Sequence, residues 1–162
     1  MKYGGVSLTE IGQHKAIQLL RNHRLWEVFL SEHLGFAWDK VHDIAEQLEH
    51  VRSSELIARL GRFLGDPTID PHGDPIPSHD LTIQPTGGTT FFAAKSGDSF
   101  TLVAAADNQD LLAKLNAAKV SLGSELVKVG KDKQGRQVMQ VHGQSIAFSE
   151  VEAKQLHVSL SH

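Results

Sequence analysis

Two stretches of the chain carry histidines and carboxylates at the spacing of a helix face. The first is His23-Arg-Leu-Trp-Glu27 and the second is His42-Asp-Ile-Ala-Glu46-Gln-Leu-Glu49-His50. On an α-helix, positions i, i+4, i+7 and i+8 fall on one side. His42, Glu46, Glu49 and His50 can therefore project together, with His23 and Glu27 a matching pair on a neighbouring helix. Imidazole nitrogens and carboxylate oxygens that converge between packed helices suit a first-row divalent metal ion. Each residue taken singly has a plainer reading as solvated surface or ion-pair partner: Glu27 beside Arg24 or Arg21, Glu49 beside Arg52. The second stretch resists that reading, because its four residues border the apolar stripe of Val41, Ala45 and Leu48. Carboxylates at such a seam are costly unless a cation compensates them.

Composition narrows the chemistry. The 162 residues include no cysteine, which excludes disulfides, thiolate zinc sites and cysteine nucleophiles and leaves only nitrogen and oxygen ligands. With 40% hydrophobic and 22% charged residues the chain has an ordinary globular balance. Its net charge is −3, with Lys and Arg scattered, so it carries no electrostatic footprint for nucleic acid. No apolar run would span a bilayer and no leader is apparent, so a cytoplasmic protein without a membrane partner is expected. There is no nucleophile-elbow pattern and no phosphate-cradling glycine loop. Di-metal carboxylate enzymes need Glu-x-x-His twice plus two further Glu-bearing helices, and this chain supplies one such helix. The expectation is a protein that is not an enzyme. Asp70-Pro-His72-Gly-Asp74 is read as a turn rather than a ligand group.

The elements that must position these residues are helical first and stranded second. Ser7-Leu-Thr-Glu10 has the form of a capping box, and apolar periodicity predicts a helix over 8–34 with Gly35 as its stop. A second helix is expected from Trp38 to His50, and a third from Ser53 or Ser54 to Gly65. Pro67, Pro71, Pro75 and Pro77 forbid regular structure until about His79. A domain boundary is placed there, giving a helical metal-binding and dimerisation domain over 1–78 and a second domain over 79–162. In the second, strands are expected at Ser99–Ala105, Glu125–Val129, Gln137–Val141, Ser145–Phe148 and His157–Leu160, with a short helix capped by Asp107 or Asn108. The fold class is α+β, with a small barrel following the helices. Trp26, Phe29 and Leu30 on one helix and Leu56, Leu60 and Phe63 on another exceed what three helices can cover, which predicts pairing of two copies.

Four segments carry a resemblance: Gly5-Val-Ser-Leu-Thr-Glu-Ile-Gly12, Arg21-Asn-His-Arg-Leu-Trp-Glu-Val-Phe-Leu30, Val41-His-Asp-Ile-Ala-Glu-Gln-Leu-Glu-His-Val51 and Asp70-Pro-His-Gly-Asp-Pro-Ile-Pro77. Over nearly its whole length the sequence resembles the metal-dependent transcriptional regulators of the diphtheria toxin repressor family. Leu122-Gly-Ser-Glu-Leu126 and the strands after it are similar to the SH3-like, FeoA-type domain that ends many members. The resemblance implies a homodimer built on the helical domain, with one or two metal ions per subunit. By that resemblance His23, Glu27 and His42 match the ancillary metal site, and Glu46, Glu49 and His50 match the primary one. Glu46 stands where iron-type members carry cysteine, which is the manganese-type choice. Mn(II) is therefore expected first and Fe(II) next, with Zn(II) or Co(II) as possible substitutes. Asp107, at the end of a strand, is the candidate acidic ligand from the second domain, with Asp110 behind it; their plainer reading is a helix N-cap and a first-turn acid. Family members begin with a winged helix-turn-helix domain, and Met1-Lys-Tyr-Gly-Gly5 falls where its wing would end. DNA contact is thus expected only through a domain absent from this chain. The function implied is the metal-sensing and dimerisation region of a manganese- or iron-dependent repressor. The alternative is a metal-independent dimerisation module acting through a protein partner.

Overall fold

Helix α1 runs from Glu10 to Glu32 and starts where the Thr9 hydroxyl accepts the amide hydrogen of Gly12 at 3.1 Å. The computed structural model describes residues 7–161. Thr9, rather than Ser7, is therefore the N-cap, and the expected capping box does not form. Buried residues along α1 include Arg21, Leu25 and Val28, spaced four and then three apart on the inward face. Gly35, at φ +72°, follows the helix end in the left-handed region expected of its stop.

Helix α2 spans Val41–Leu48 and α3 spans Ser54–Phe63, the latter capped by the Ser53 hydroxyl. The second helix is shorter than its apolar period suggests. Residues 38–40 form turns because Trp38 is drawn toward the sheet, where its indole N–H donates to Asn116 Oδ1 at 2.5 Å. At its other end α2 stops at Leu48, so Glu49 and His50 lie past its C-terminus. Leu25, Val28, Ile57, Leu60 and Ile76 form one helical core, and Leu30, Val41 and Ala45 another. Leu30 and Leu60 thus turn inward, while Phe63 stays 64% and Leu56 41% exposed.

The proline-rich stretch after α3 is irregular apart from a bridge between Ile69 and Pro75. Its turn is built by Asp70, whose Oδ1 accepts the amides of His72 at 2.8 Å and Asp74 at 2.9 Å. The loop seats directly on the sheet: the His72 carbonyl accepts the Ala105 amide at 2.9 Å. At Gly73, φ is +88° and a Cβ would lie 2.1 Å from the Val103 carbonyl oxygen, so only glycine fits.

The sheet comprises β1 (Thr89–Thr90), β2 (Ser99–Ala105), β3 (Glu125–Lys131), β4 (Gln137–Val141), β5 (Gln144–Phe148) and β6 (Leu156–Leu160). Helices α4 (Gln109–Ala117) and α5 (Glu150–Lys154) are inserted between strands. The order is β1-β6-β2-β3-β4-β5, every pair antiparallel. The outer strands β1 and β5 are not neighbours in this order, so the expected barrel is an open one. Phe91, Leu102, Leu111, Leu112, Leu115, Met139, Phe148 and Leu156 fill its core. Two-residue β1 and five-residue α5 escape sequence reading because neither is long enough to display a period. Among the described residues no helix is long and apolar enough to cross a membrane.

Candidate metal site

The four-residue spacing on α1 turns His23 and Glu27 toward α2, whose first turn carries His42. From the sheet comes Asp107, two residues beyond β2. Asn108, not Asp107, caps α4 by accepting the Leu111 amide at 3.1 Å. Asp107 is thereby left to reach His42, with which it pairs through His42 Nδ1. One ligand atom from each of His23, Glu27, His42 and Asp107 lies within 4.8 Å of all the others. Three separate elements meet at this point.

Glu27 is the hub and is only 2% exposed. Its Oε1 stands 3.0 Å from His23 Nε2, 3.7 Å from His42 Nδ1 and 3.8 Å from His72 Nδ1. His72, itself 1% exposed, donates from Nε2 to the Trp38 carbonyl at 2.7 Å. Because a carbonyl only accepts, Nε2 carries a proton, and Nδ1 is the ring nitrogen that faces Glu27. Glu27, Asp70 and His72 form a second group, wholly buried, that overlaps the first at Glu27. The nearby guanidinium of Arg24 is already committed to Asp70 and Asp74, each at 3.3 Å.

Among the described residues the site is crowded with carboxylates, and Glu27 at its centre is met by imidazoles. Burial, joined by the charge of Glu27, pushes the Asp70 carboxyl from 3.8 up to about 6. Asp107 is raised as well, chiefly by burial, against the opposing pull of His72 and His42. Burial presses the His23 ring downward, but hydrogen bonds and charge from Glu27 and then Glu49 outweigh it, and its pKa is raised overall. Carboxylates held out of water beside imidazole nitrogens are a donor set that a divalent cation satisfies, and all the donors are nitrogen or oxygen. The residues present fit such an ion.

Of the other residues singled out from the sequence, Glu46 and His50 are exposed, as is Asp110 in the first turn of α4. Glu49 turns instead to His23: its Oε2 is 2.6 Å from Nδ1, and its Oε1 is 3.6 Å from His50 Nε2. Glu46, Glu49 and His50 do not gather into a ligand group among the described residues. The plainer pairings do not form either, since Arg21 goes to Asp66 and the Pro77 carbonyl, and Glu27 goes to histidines. Sequence reading weighed Asp70 and His72 as a metal-holding group but preferred a turn. Their signal was the Asp-Pro-His-Gly-Asp run, which does make a turn, but one pressed against Glu27 by the sheet.

Residues 9–78 match the family model described as iron dependent repressor, metal binding and dimerisation domain. A solved structure, a manganese-dependent transcriptional repressor complex with manganese, superposes with a TM-score of 0.87 at 33% identity, covering 99% of this chain and 77% of that one. The diphtheria toxin repressor of Corynebacterium efficiens is 31% identical over 152 residues, 87% of this chain and 65% of that protein. A probable metal transport system membrane protein of Chlamydia trachomatis is 46% identical over 71 residues, 44% of this chain and 16% of that protein. The chain thus spans less than two thirds of these two curated relatives. With helices leading into an SH3-like sheet, and with this breadth of match, the chain belongs to the diphtheria toxin repressor family of metal-dependent regulators.

Proposed function

We propose that this chain is the metal-sensing and dimerising part of a manganese- or iron-dependent transcriptional repressor, acting in the cytoplasm and without catalysis. The observation that carries the reading is the meeting of His23, Glu27, His42 and Asp107 from α1, α2 and the end of β2. These four would hold one divalent cation. When bound, the ion would supply positive charge to Glu27, whose partners are otherwise imidazoles. His72 holds the Trp38 carbonyl beside the group, and the Asp70 turn fixes the loop that brings the sheet against α1. The ligands belong to elements distant in sequence, so occupancy favours the arrangement in which sheet and helices are docked.

A second cation position is assigned to Glu46, Glu49 and His50, on the solvent side of α2. A cavity of about 330 Å³ between α1 and α2 is lined in part by Leu19, His23, His42, Glu46 and Glu49. The all-N/O donor set supports Mn(II) ahead of Fe(II), with Zn(II) and Co(II) able to substitute. A homodimer through the helical face, and DNA contact by a winged helix-turn-helix domain in the whole protein, complete the reading. The domain limits are placed at 1–78 and 79–162.

Calorimetric titration of the metal-free chain with Mn(II) tests the assignment. His42→Ala and Asp107→Asn should each weaken binding roughly a hundredfold while far-ultraviolet circular dichroism stays native. Wild-type affinity in both variants would remove the site.

A further inference from the structure

A cavity of about 350 Å³ opens between α1, the loop that follows α3 and the chain leading to β1. None of the residues considered above as metal ligands lines it. Pro67, Pro75 and Pro85, together with Ile69 and Ile76, give it apolar walls. Ile76 belongs to the helical core and is 6% exposed, whereas Ile69, bridged to Pro75, stays 55% exposed. Apolar surface is thus left in water within a concave seat, and covering it is favourable.

The same lining carries a charge. Arg21 enters it from α1 with only 9% of its side chain exposed. Its Nη1 donates to the Pro77 carbonyl, and its Nη2 stands 3.4 Å from His79 Nε2. Among the described residues its one ion-pair partner is Asp66 Oδ1, at 4.0 Å, a half-exposed group that His79 Nε2 also approaches at 3.3 Å. Arg21 is therefore a mostly buried cation whose counter-charge is distant, shared and partly in water. A guanidinium is a planar fork of N–H donors that pairs with a carboxylate through two of them at once. With Asp66 already beside it, this one suits a singly charged head group and not a dianion. The cavity also sits at the small end of ligand pockets, which run from roughly 300 to 1,000 Å³, and so fits a free small molecule better than a peptide. We propose that it binds a small monocarboxylic acid with an apolar tail, the carboxylate on Arg21 and the tail against Ile69 and the three prolines. Bound there, the acid braces the chain between Pro67 and Gly87 against α1. Gly73, which presses on Val103, belongs to the same lining, so the ligand also touches the loop that seats on the sheet.

Proton–nitrogen NMR of the metal-free full chain, titrated with sodium octanoate, tests this. The amides of Thr68, Ile69, Ile76 and Gly87 should shift in a saturable way, with a dissociation constant on the order of 0.1 mM. Acetate has the charge without the tail and 1-octanol the tail without the charge, and each should bind about tenfold more weakly or worse. Arg21→Met should weaken octanoate by about the same factor. Asp66→Asn removes the competing carboxylate and keeps a residue type at home at φ +51°, so it should tighten octanoate about threefold. Ile69→Glu, at an exposed position, should weaken it about tenfold. Equal affinity for octanoate and 1-octanol would overturn the proposal. So would octanoate binding left unchanged in both Asp66→Asn and Ile69→Glu, the two variants that decide the matter if Arg21→Met fails to fold. Octanoate shifts confined to residues outside the cavity would also overturn it. Shifts at the cavity amides that follow protein concentration and ignore octanoate would give the cavity to a second copy of the chain, and the proposal would fall.

Discussion

Glu27 is a carboxylate placed where a carboxylate is least welcome, and that makes it the sharpest residue to change. It is 2% exposed, and its partners are imidazoles rather than a guanidinium or ammonium group. Glu27→Gln should therefore abolish Mn(II) binding at the group of His23, Glu27, His42 and Asp107 while stabilising the metal-free protein by about 1–2 kcal/mol, read from denaturant midpoints. Stability against pH follows from the same crowding. Asp70 is raised from 3.8 to about 6, so its ionised form costs stability above about pH 6 and the cost fades as pH falls toward 4. Asp107, also raised, has the same sign. For His23, raised from 6.5, the stabilising contribution is full below 6.5 and is lost as pH climbs through the folded value. The metal-free chain should then gain stability from about pH 8 to about pH 5, Asp70 contributing on the order of 1–2 kcal/mol. Urea titrations across that range check it, and Asp70→Asn should flatten the slope. At this scale helix spacing grouped His42 with Glu46, Glu49 and His50 and set His23 and Glu27 apart as a pair; only the family resemblance joined His23, Glu27 and His42. Asp107 emerged only as one of two candidates, because no local pattern tells which acid after a strand turns back toward the helices. Asp70 and His72 were not legible as site residues, since their burial is conferred by a distant strand.

At the scale of elements, period and punctuation were readable and helix ends were not. β2 and β4 have the bounds that alternation predicts, Ser99–Ala105 and Gln137–Val141. The second helix lost its first turn because Trp38 finds a better partner in the sheet core than in a helical stripe. Tertiary packing overrode local propensity there. The loop that carries Asp70 and His72 is the element most exposed to a single change. In Gly73→Ala the new methyl would fall 2.1 Å from the Val103 carbonyl at a φ of +88°, so loop and strand must separate. A loss of about 2–4 kcal/mol in stability is expected. Mn(II) affinity should fall with it, because Asp107 and Glu27 lie on opposite sides of that seam. Thermal melts with and without Mn(II) measure both effects.

For the whole molecule, the helical side retains an apolar face that three helices do not cover. Phe63 and Leu56 are exposed, and Phe63 packs at 6.3 Å against Phe29 and 4.9 Å against His33, forming a raised aromatic cluster. Sedimentation at micromolar concentration should find a dimer with or without metal. Phe63→Glu should raise its dissociation constant roughly tenfold or more. The inward turn of Leu30 and Leu60 makes this face smaller than apolar spacing alone suggests, since a period locates the stripe but not its centre.

Trp38 gives the molecule an optical gauge. It is one of only two tryptophans. Its indole N–H is bound to Asn116 on α4, its carbonyl to His72, and its ring is stacked on the His72 imidazole at 6.1 Å and 21°. An indole so enclosed emits at a wavelength and intensity set by whether the sheet rests on the helices. Saturating Mn(II) should shift that emission toward the blue and slow its quenching by iodide. Trp38→Phe, which leaves Trp26 as the sole emitter, should silence the response. The chain would thus report its own docking in ordinary fluorescence, with no label attached.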